Sequence, residues 1–163
     1  MIVSWAIKVS VTSMCFLTAC CINPVASAEQ STEFCDVLQA FVGSVKADET
    51  RQLVFRTSWG ANFKDTPGAA LLAKRCEHGD YPAAKNVCSY LMEHDSAEFA
   101  AVAVKKAILC LSPASNLDDQ LTINSASFSI HYGSQERGAI VDISLSEDSA
   151  VGGMALKLVA DGY

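Results

Sequence analysis

Histidine is scarce in this chain, which holds His78, His94 and His131 as its three examples in 163 residues. No two of them form a His-x3-His pair and no two cysteines form a Cys-x2-Cys pair, so the spacing expected of a zinc site is missing. A Gly-x-Ser-x-Gly turn, which would present a strained nucleophilic serine, is missing too. Positive charge runs out toward the C-terminus, where residues 111–163 carry only Arg137 and Lys157 against seven acids. That balance disfavours nucleic acid and anionic membranes as partners, because both select for clustered Lys and Arg. There is no Asn-x-Ser/Thr sequon. The leading apolar stretch, Val9 to Ile22, is too short to span a bilayer comfortably.

What that stretch does offer is an export signal. It follows Lys8 and leads through Asn23-Pro24 to Ala26-Ser27-Ala28, the layout of a secretory signal peptide over residues 1–28, cleaved before Glu29. Leu17-Thr18-Ala19-Cys20 also resembles the lipobox of bacterial lipoproteins, in which the cysteine is lipidated and becomes the new N-terminus. Cysteine parity favours release after Ala28. It removes Cys15, Cys20 and Cys21 and leaves Cys35, Cys76, Cys88 and Cys110, an even set able to pair fully. Processing at Cys20 would instead leave Cys21 as a free thiol in an oxidising space. The expected mature protein is one periplasmic or secreted domain, residues 29–163, large enough for a hydrophobic core. Loss of Lys8 moves its formal charge from −6 to −7.

Hydrophobic periodicity divides residues 29–163 into a helical part (29–111), a connector (112–120) and a β part (121–163). Phe34, Val37, Leu38, Phe41, Val42 and Val45 make one helical stripe over 33–46. Residues 51–59 fit either period, and the helical neighbourhood tips them toward helix. Thr66-Pro67 reads as a helix start and Gly79 as the stop of a helix over 70–78. Helices over 82–94 and 96–111 follow, the latter opened by an Asp95/Glu98 capping box. Short turns between them predict antiparallel neighbours.

Strict alternation then predicts strands at 126–132, 139–145 and 154–160. Matching apolar faces sets Tyr132 opposite Ala139, Ile130 opposite Val141, and Ile143 opposite Leu156, which places Asp142 across from Lys157. Leu121 and Ile123 are out of phase and predict a bulge or a separate short strand near Asn124. The expected fold is α+β, about four antiparallel helices packed on a C-terminal three-stranded antiparallel meander, stapled by disulfides.

Helix geometry ranks the three possible disulfide pairings. On helices folding back at Gly79, Cys76 and Cys88 sit at nearly equal height, whereas Cys88 and Cys110 are mismatched by about 12 Å at 1.5 Å rise per residue. The expected pairs are Cys76–Cys88 and Cys35–Cys110. Cys76 beside His78 offers no thiolate–imidazole couple, since residues two apart on a helix point away from each other. His78 and His94 are expected at helix ends, where a cation complements the dipole. Trp59, Phe63 and Tyr81 read as lids on the core.

No cofactor and no metal site is expected. His131, Asp142 and nearby serines share the outer side of the predicted sheet without a nucleophile turn, which leaves a small periplasmic hydrolase as one alternative reading, with an envelope lipoprotein anchored at Cys20 as the other. The favoured expectation is a non-enzymatic, protein-binding module of the cell envelope, of the class of inhibitors and immunity proteins. Its partner is a protein, with no nucleic acid and no membrane unless Cys20 is lipidated. The expected contact face is Ser129, His131, Ile140, Asp142, Lys157 and Val159, with loops 133–138 and 147–153 beside it. Intact mass of the exported protein should match a chain beginning at Glu29; a lipid adduct on Cys20 would contradict this.

Overall fold

The computed structural model describes residues 25–118 and 120–163. Residues 1–24, with most of the expected leader and Cys15, Cys20 and Cys21, lie outside that range. The described chain runs α1 (Val25–Ser44), β1 (Thr50–Trp59), β2 (Leu72–Glu77), α2 (Pro82–His94), α3 (Ala100–Leu111), β3 (Ala126–Gly133), β4 (Gly138–Glu147) and β5 (Met154–Gly162). All five strands join one antiparallel sheet in the order β2-β1-β5-β4-β3. The fold is therefore α+β, as expected, but with three helices and five strands among the described residues. About four helices on a three-stranded meander is incorrect.

Residues 50–77 account for the difference. Leu53, Phe55 and Thr57 are buried while Gln52, Val54 and Arg56 between them keep exposure, so period two prevails over the helical reading of 51–59. As a strand, β1 satisfies its backbone on both flanks by pairing with β5 and β2. The helix expected over 70–78 is the edge strand β2, with Cys76 opposite Phe55 and Trp59 opposite Leu72. Leu71 and Leu72, needed for an apolar helical face there, are instead largely exposed.

All three helices pack on one face of the sheet. Phe34, Leu38, Phe41, Val42 and Val45 of the α1 stripe meet Val87 and Leu91 of α2, Val104 and Ala107 of α3, and Leu53, Ile143 and Leu158 of the sheet in one buried cluster. α1 contacts both α2 and α3, so it lies between the two helices expected to fold back on each other. The turn ahead of α3 also differs from expectation. The helix starts at Ala100 after Phe99, Ser96 Oγ accepts from the Glu98 N–H, and Asp95 is used elsewhere.

The β3–β4 register is the expected one. β4 and β5 are offset by two residues from expectation: Ile143 faces Leu158, Asp142 faces Val159, and Lys157 faces Ser144 instead of Asp142. A two-residue slip leaves every side chain on its own face, so the apolar pattern cannot distinguish the registers. The turn decides. Asp148 Oδ1 accepts from the Ala150 and Val151 N–H groups, and Gly152 and Gly153 adopt φ of 89° and 81°. A Cβ on Gly153 would collide with the Thr57 carbonyl, so glycine is required there.

Disulfides join Cys35 to Cys110 and Cys76 to Cys88, with Cα separations of 5.1 and 5.5 Å. The first ties α1 to the end of α3. The second ties edge strand β2 to α2, so this pair forms through a strand–helix turn rather than the helix–helix turn expected; Gly79 and Asp80 make that turn at positive φ. The bridges close 75 and 12 residues. The chain-entropy model then assigns them roughly 4.5 and 3 kcal/mol. Cys35→Ala/Cys110→Ala should accordingly lower unfolding free energy in urea more than Cys76→Ala/Cys88→Ala, and the reverse order would contradict the topology.

Candidate functional site

The outer face of the sheet carries the polar residues singled out in the sequence. Ser129, Asp142 and Val159 form one rung, His131 and Ile140 the next, and Lys157 sits beside Ser144 on the rung to the other side. Ser129 Oγ donates to Asp142 Oδ1. His131 stands exposed one rung away, with no side-chain hydrogen bond to either among the described residues. A hydrolytic relay needs the imidazole between serine and carboxylate. Here the carboxylate holds the serine proton directly.

On the same face, β1 and β2 set Arg56 directly opposite Arg75, a like-charge pair that needs acids around it. Glu77 Oε1 lies 2.7 Å from Arg56 Nη1 and 3.6 Å from Arg75 Nε. Asp148 Oδ2 accepts from Arg56 Nε at 3.0 Å, and Asp65 Oδ2 from Arg75 Nη1 at 2.9 Å. Burial pulls the Arg56 guanidinium down, but bonds to Asp148 and Glu77 outweigh it and hold the group above its ordinary value. Asp148 is held below the usual carboxylate range, first by the Val151 N–H and then by Arg56. Arg75 does the same to Asp65. These ions clamp the β1–β2 hairpin to the β4–β5 turn and serve the frame.

The helical side has a similar clamp. Asp95 is buried, and its Oδ1 receives Lys106 Nζ at 2.7 Å, while Lys74 of β2 donates to the Asp95 carbonyl at 2.9 Å. Tyr90 packs against the ring of His94 and is shifted upward, by burial first and then by the Asp95 charge. His94 does end a helix; His78 follows a strand, with Nδ1 buried. Cys76 is bonded to Cys88 and is no nucleophile. No group of three or more His, Cys, Asp or Glu positioned for a metal occurs among the described residues.

The surface best shaped to receive something lies at the end of the sheet where the helices stop covering it. There α3 begins at Ala100 and β5 at Met154. Between Phe99, Val102, Leu121, Ile123 and Met154 opens a cleft of about 420 Å³. A second, of about 430 Å³, continues it past Trp59 and the Gly152-Gly153 turn, and Glu98 and Met154 line both. Trp59 is 53% exposed, Phe99 59% and Leu121 43%. Apolar surface gathered in a concavity marks a binding site more than scattered exposure does.

The three aromatics read as lids separate here. Phe63 is buried beneath the Arg75 guanidinium, Tyr81 lies under Arg51 and donates to the Ser44 carbonyl, and Trp59 faces the cleft. Of the two loops expected beside the contact face, 147–153 contributes Glu147, Gly152 and Gly153 to the cleft, whereas 133–138 lies outside it. Phe99, Val102 and Met154 went unrecognised in the sequence. Their signal was present: Phe99 and Val102 fall off the buried α3 stripe of Ala103, Val104, Ala107 and Leu111, and a helix apolar beyond its core stripe has surface to spare.

Compared with family models, curated proteins and solved structures, the chain matches none.

Asp148, Asp65 and Glu49 all titrate below their ordinary values. Their contribution to stability is complete above the unfolded carboxylate pKa of about 4 and is lost as pH falls through the lower folded values. The thermal midpoint should thus drop on acidification below about pH 4, less steeply in Asp148→Asn; a midpoint flat to pH 2 would contradict the clamp.

Proposed function

We propose that this protein is an exported, disulfide-stapled module of the cell envelope that acts by binding another protein rather than by catalysis, as inhibitors and immunity proteins do. Its two disulfides are compatible with an extracellular or periplasmic location, and no described helix is long and apolar enough to cross a membrane. Signal cleavage after Ala28 belongs to the same proposal.

The observation that carries it is the double cleft. A rigid wall of sheet, with a helix start on one side and a glycine turn on the other, holds Trp59, Phe99 and Leu121 in water. Aromatic and aliphatic anchors in a preformed concavity are where interfaces concentrate their binding energy. The bridges at Cys35–Cys110 and Cys76–Cys88 keep that geometry without requiring a partner to order it, which lowers the entropic cost of association. The outer face, with Ile140 and Val159 among Ser129, His131, Asp142 and Lys157, presents smaller apolar groups and serves as the internal comparison.

Affinity capture from envelope extract with the oxidised protein should recover one protein reproducibly and lose it at least tenfold in Phe99→Asp/Leu121→Asp, with the purified partner rebinding in isolation. Capture lost instead in Ile140→Asp/Val159→Asp, with the cleft variant unaffected, would move the contact to the outer face and overturn the reading.

A further inference from the structure

We infer that the edge strand β3 is a docking site for a second copy of this chain, the two β3 strands pairing antiparallel about a twofold axis at Ser129 to continue one sheet across both molecules. This surface is separate from the double cleft and does not depend on what the cleft binds.

The backbone of β3 supplies the contact. Gly138 donates to the Tyr163 carbonyl at 3.2 Å and accepts from the Tyr163 N–H at 3.1 Å, so both of its groups turn toward β5. Backbone direction alternates along a strand, which leaves Ala139, Val141, Ile143 and Leu145 to bond β3 through Tyr132, Ile130, Phe128 and Ala126. Ser127, Ser129 and His131 therefore point their N–H and C=O groups away from the sheet. Among the described residues no hydrogen bond reaches those groups.

The other edge of the sheet is built differently. β2 carries Lys74, Arg75 and Glu77, and Cys76 fastens it to α2, the charge and cover that keep an edge from pairing. β3 reads Ala-Ser-Phe-Ser-Ile-His-Tyr-Gly, pairs through all eight positions without a bulge, and holds no Pro, Asp, Glu, Lys or Arg. Its inner-face residues Phe128, Ile130 and Tyr132 are half-buried, whereas Ala139, Val141 and Ile143 of β4, with a strand on either side, are buried. One more strand would cover that row.

The sequence of β3 itself fits the place. With the axis at Ser129, Ser127 of one copy faces His131 of the other, and the three facing positions exchange about six backbone hydrogen bonds. Phe128 of one copy meets Ile130 of the other, the aromatic and β-branched pairing that antiparallel strands favour, and every apolar side chain stays on the helix-covered face. The charge nearest the axis on the outer face is Asp142, one strand in from the edge. Its two copies would stand three strand spacings apart, about 14 Å, beyond a Debye length of about 8 Å. The edge is thus complementary to itself in backbone and side chains alike.

Sedimentation of the oxidised protein over a range of concentrations should show a monomer–dimer equilibrium, and amide exchange at Ser129 and His131 should slow as the dimer forms. Ser129→Lys should weaken dimerisation at least tenfold, since it sets two ammonium groups face to face on the axis while Asp142 beside each holds the monomer's own strand in place. Ser129→Pro should abolish the dimer with far-UV circular dichroism unchanged, because the N–H it removes is one that β4 does not use. A monomer at every concentration would overturn the inference, including one whose β3 pairs only with an extended segment of another protein. So would a dimer untouched by both substitutions, or one lost only in Phe99→Asp/Leu121→Asp.

Discussion

The pairing of β1 with β5 is the constraint on which the rest of this molecule depends. Eight consecutive residues, Thr50 to Thr57, find partners from Asp161 back to Met154. Leu53 and Phe55 thereby stand opposite Leu158 and Leu156, in the middle of the buried face. The contact joins segments about a hundred residues apart, so it must overcome a substantial loop-closure entropy, which burial of four large apolar side chains offsets. Without it the C-terminal strands would be a meander with one face half bare, and the β1–β2 hairpin would be separate from it.

From that pairing the rest of the architecture follows. β5 becomes central, the helices must all lie on the one apolar face, and α1 takes the middle position between α2 and α3. Three helices are too few to cover five strands from end to end. Coverage is complete over Leu53, Ile143 and Leu158 and gives out at Met154 and Trp59, where the double cleft opens. The disulfides fasten the covering layer at Cys110 and the edge strand at Cys76, and the Arg56–Asp148 and Asp95–Lys106 ion pairs lock the turns on either side of the opening. The opening is thus a consequence of the fold, with the Asp148 turn and the Asp95 turn beside it.

Much of this was legible in the sequence where periodicity was unambiguous. The α1 stripe, the Pro82–His94 helix and the β3–β4 register could be read from spacing alone, because in each a single face is apolar and a slip of one residue would expose it. Residues 51–59 were not, since Phe55 and Trp59 fit either period until a partner strand is known, and that partner lies near the C-terminus. Asp142 and Lys157 looked like a cross-strand ion pair only because a two-residue slip preserves both faces; the Asp148 turn that sets the register depends on backbone geometry. The cleft was hidden for a related reason: Phe99, Leu121 and Met154 are distant in sequence, and each alone is an ordinary apolar residue. Helix geometry pointed to both bridges on a partly mistaken premise, as Cys76 reaches Cys88 from a strand.

The most direct measurement is of β1 against β5 in solution. Nuclear Overhauser contacts between the backbones of the two strands, read in isotope-labelled oxidised protein, should connect Leu53 with Leu158 and Phe55 with Leu156. Cross-strand contacts confined to β3, β4 and β5, with residues 50–59 showing the sequential amide contacts of a helix, would contradict the account.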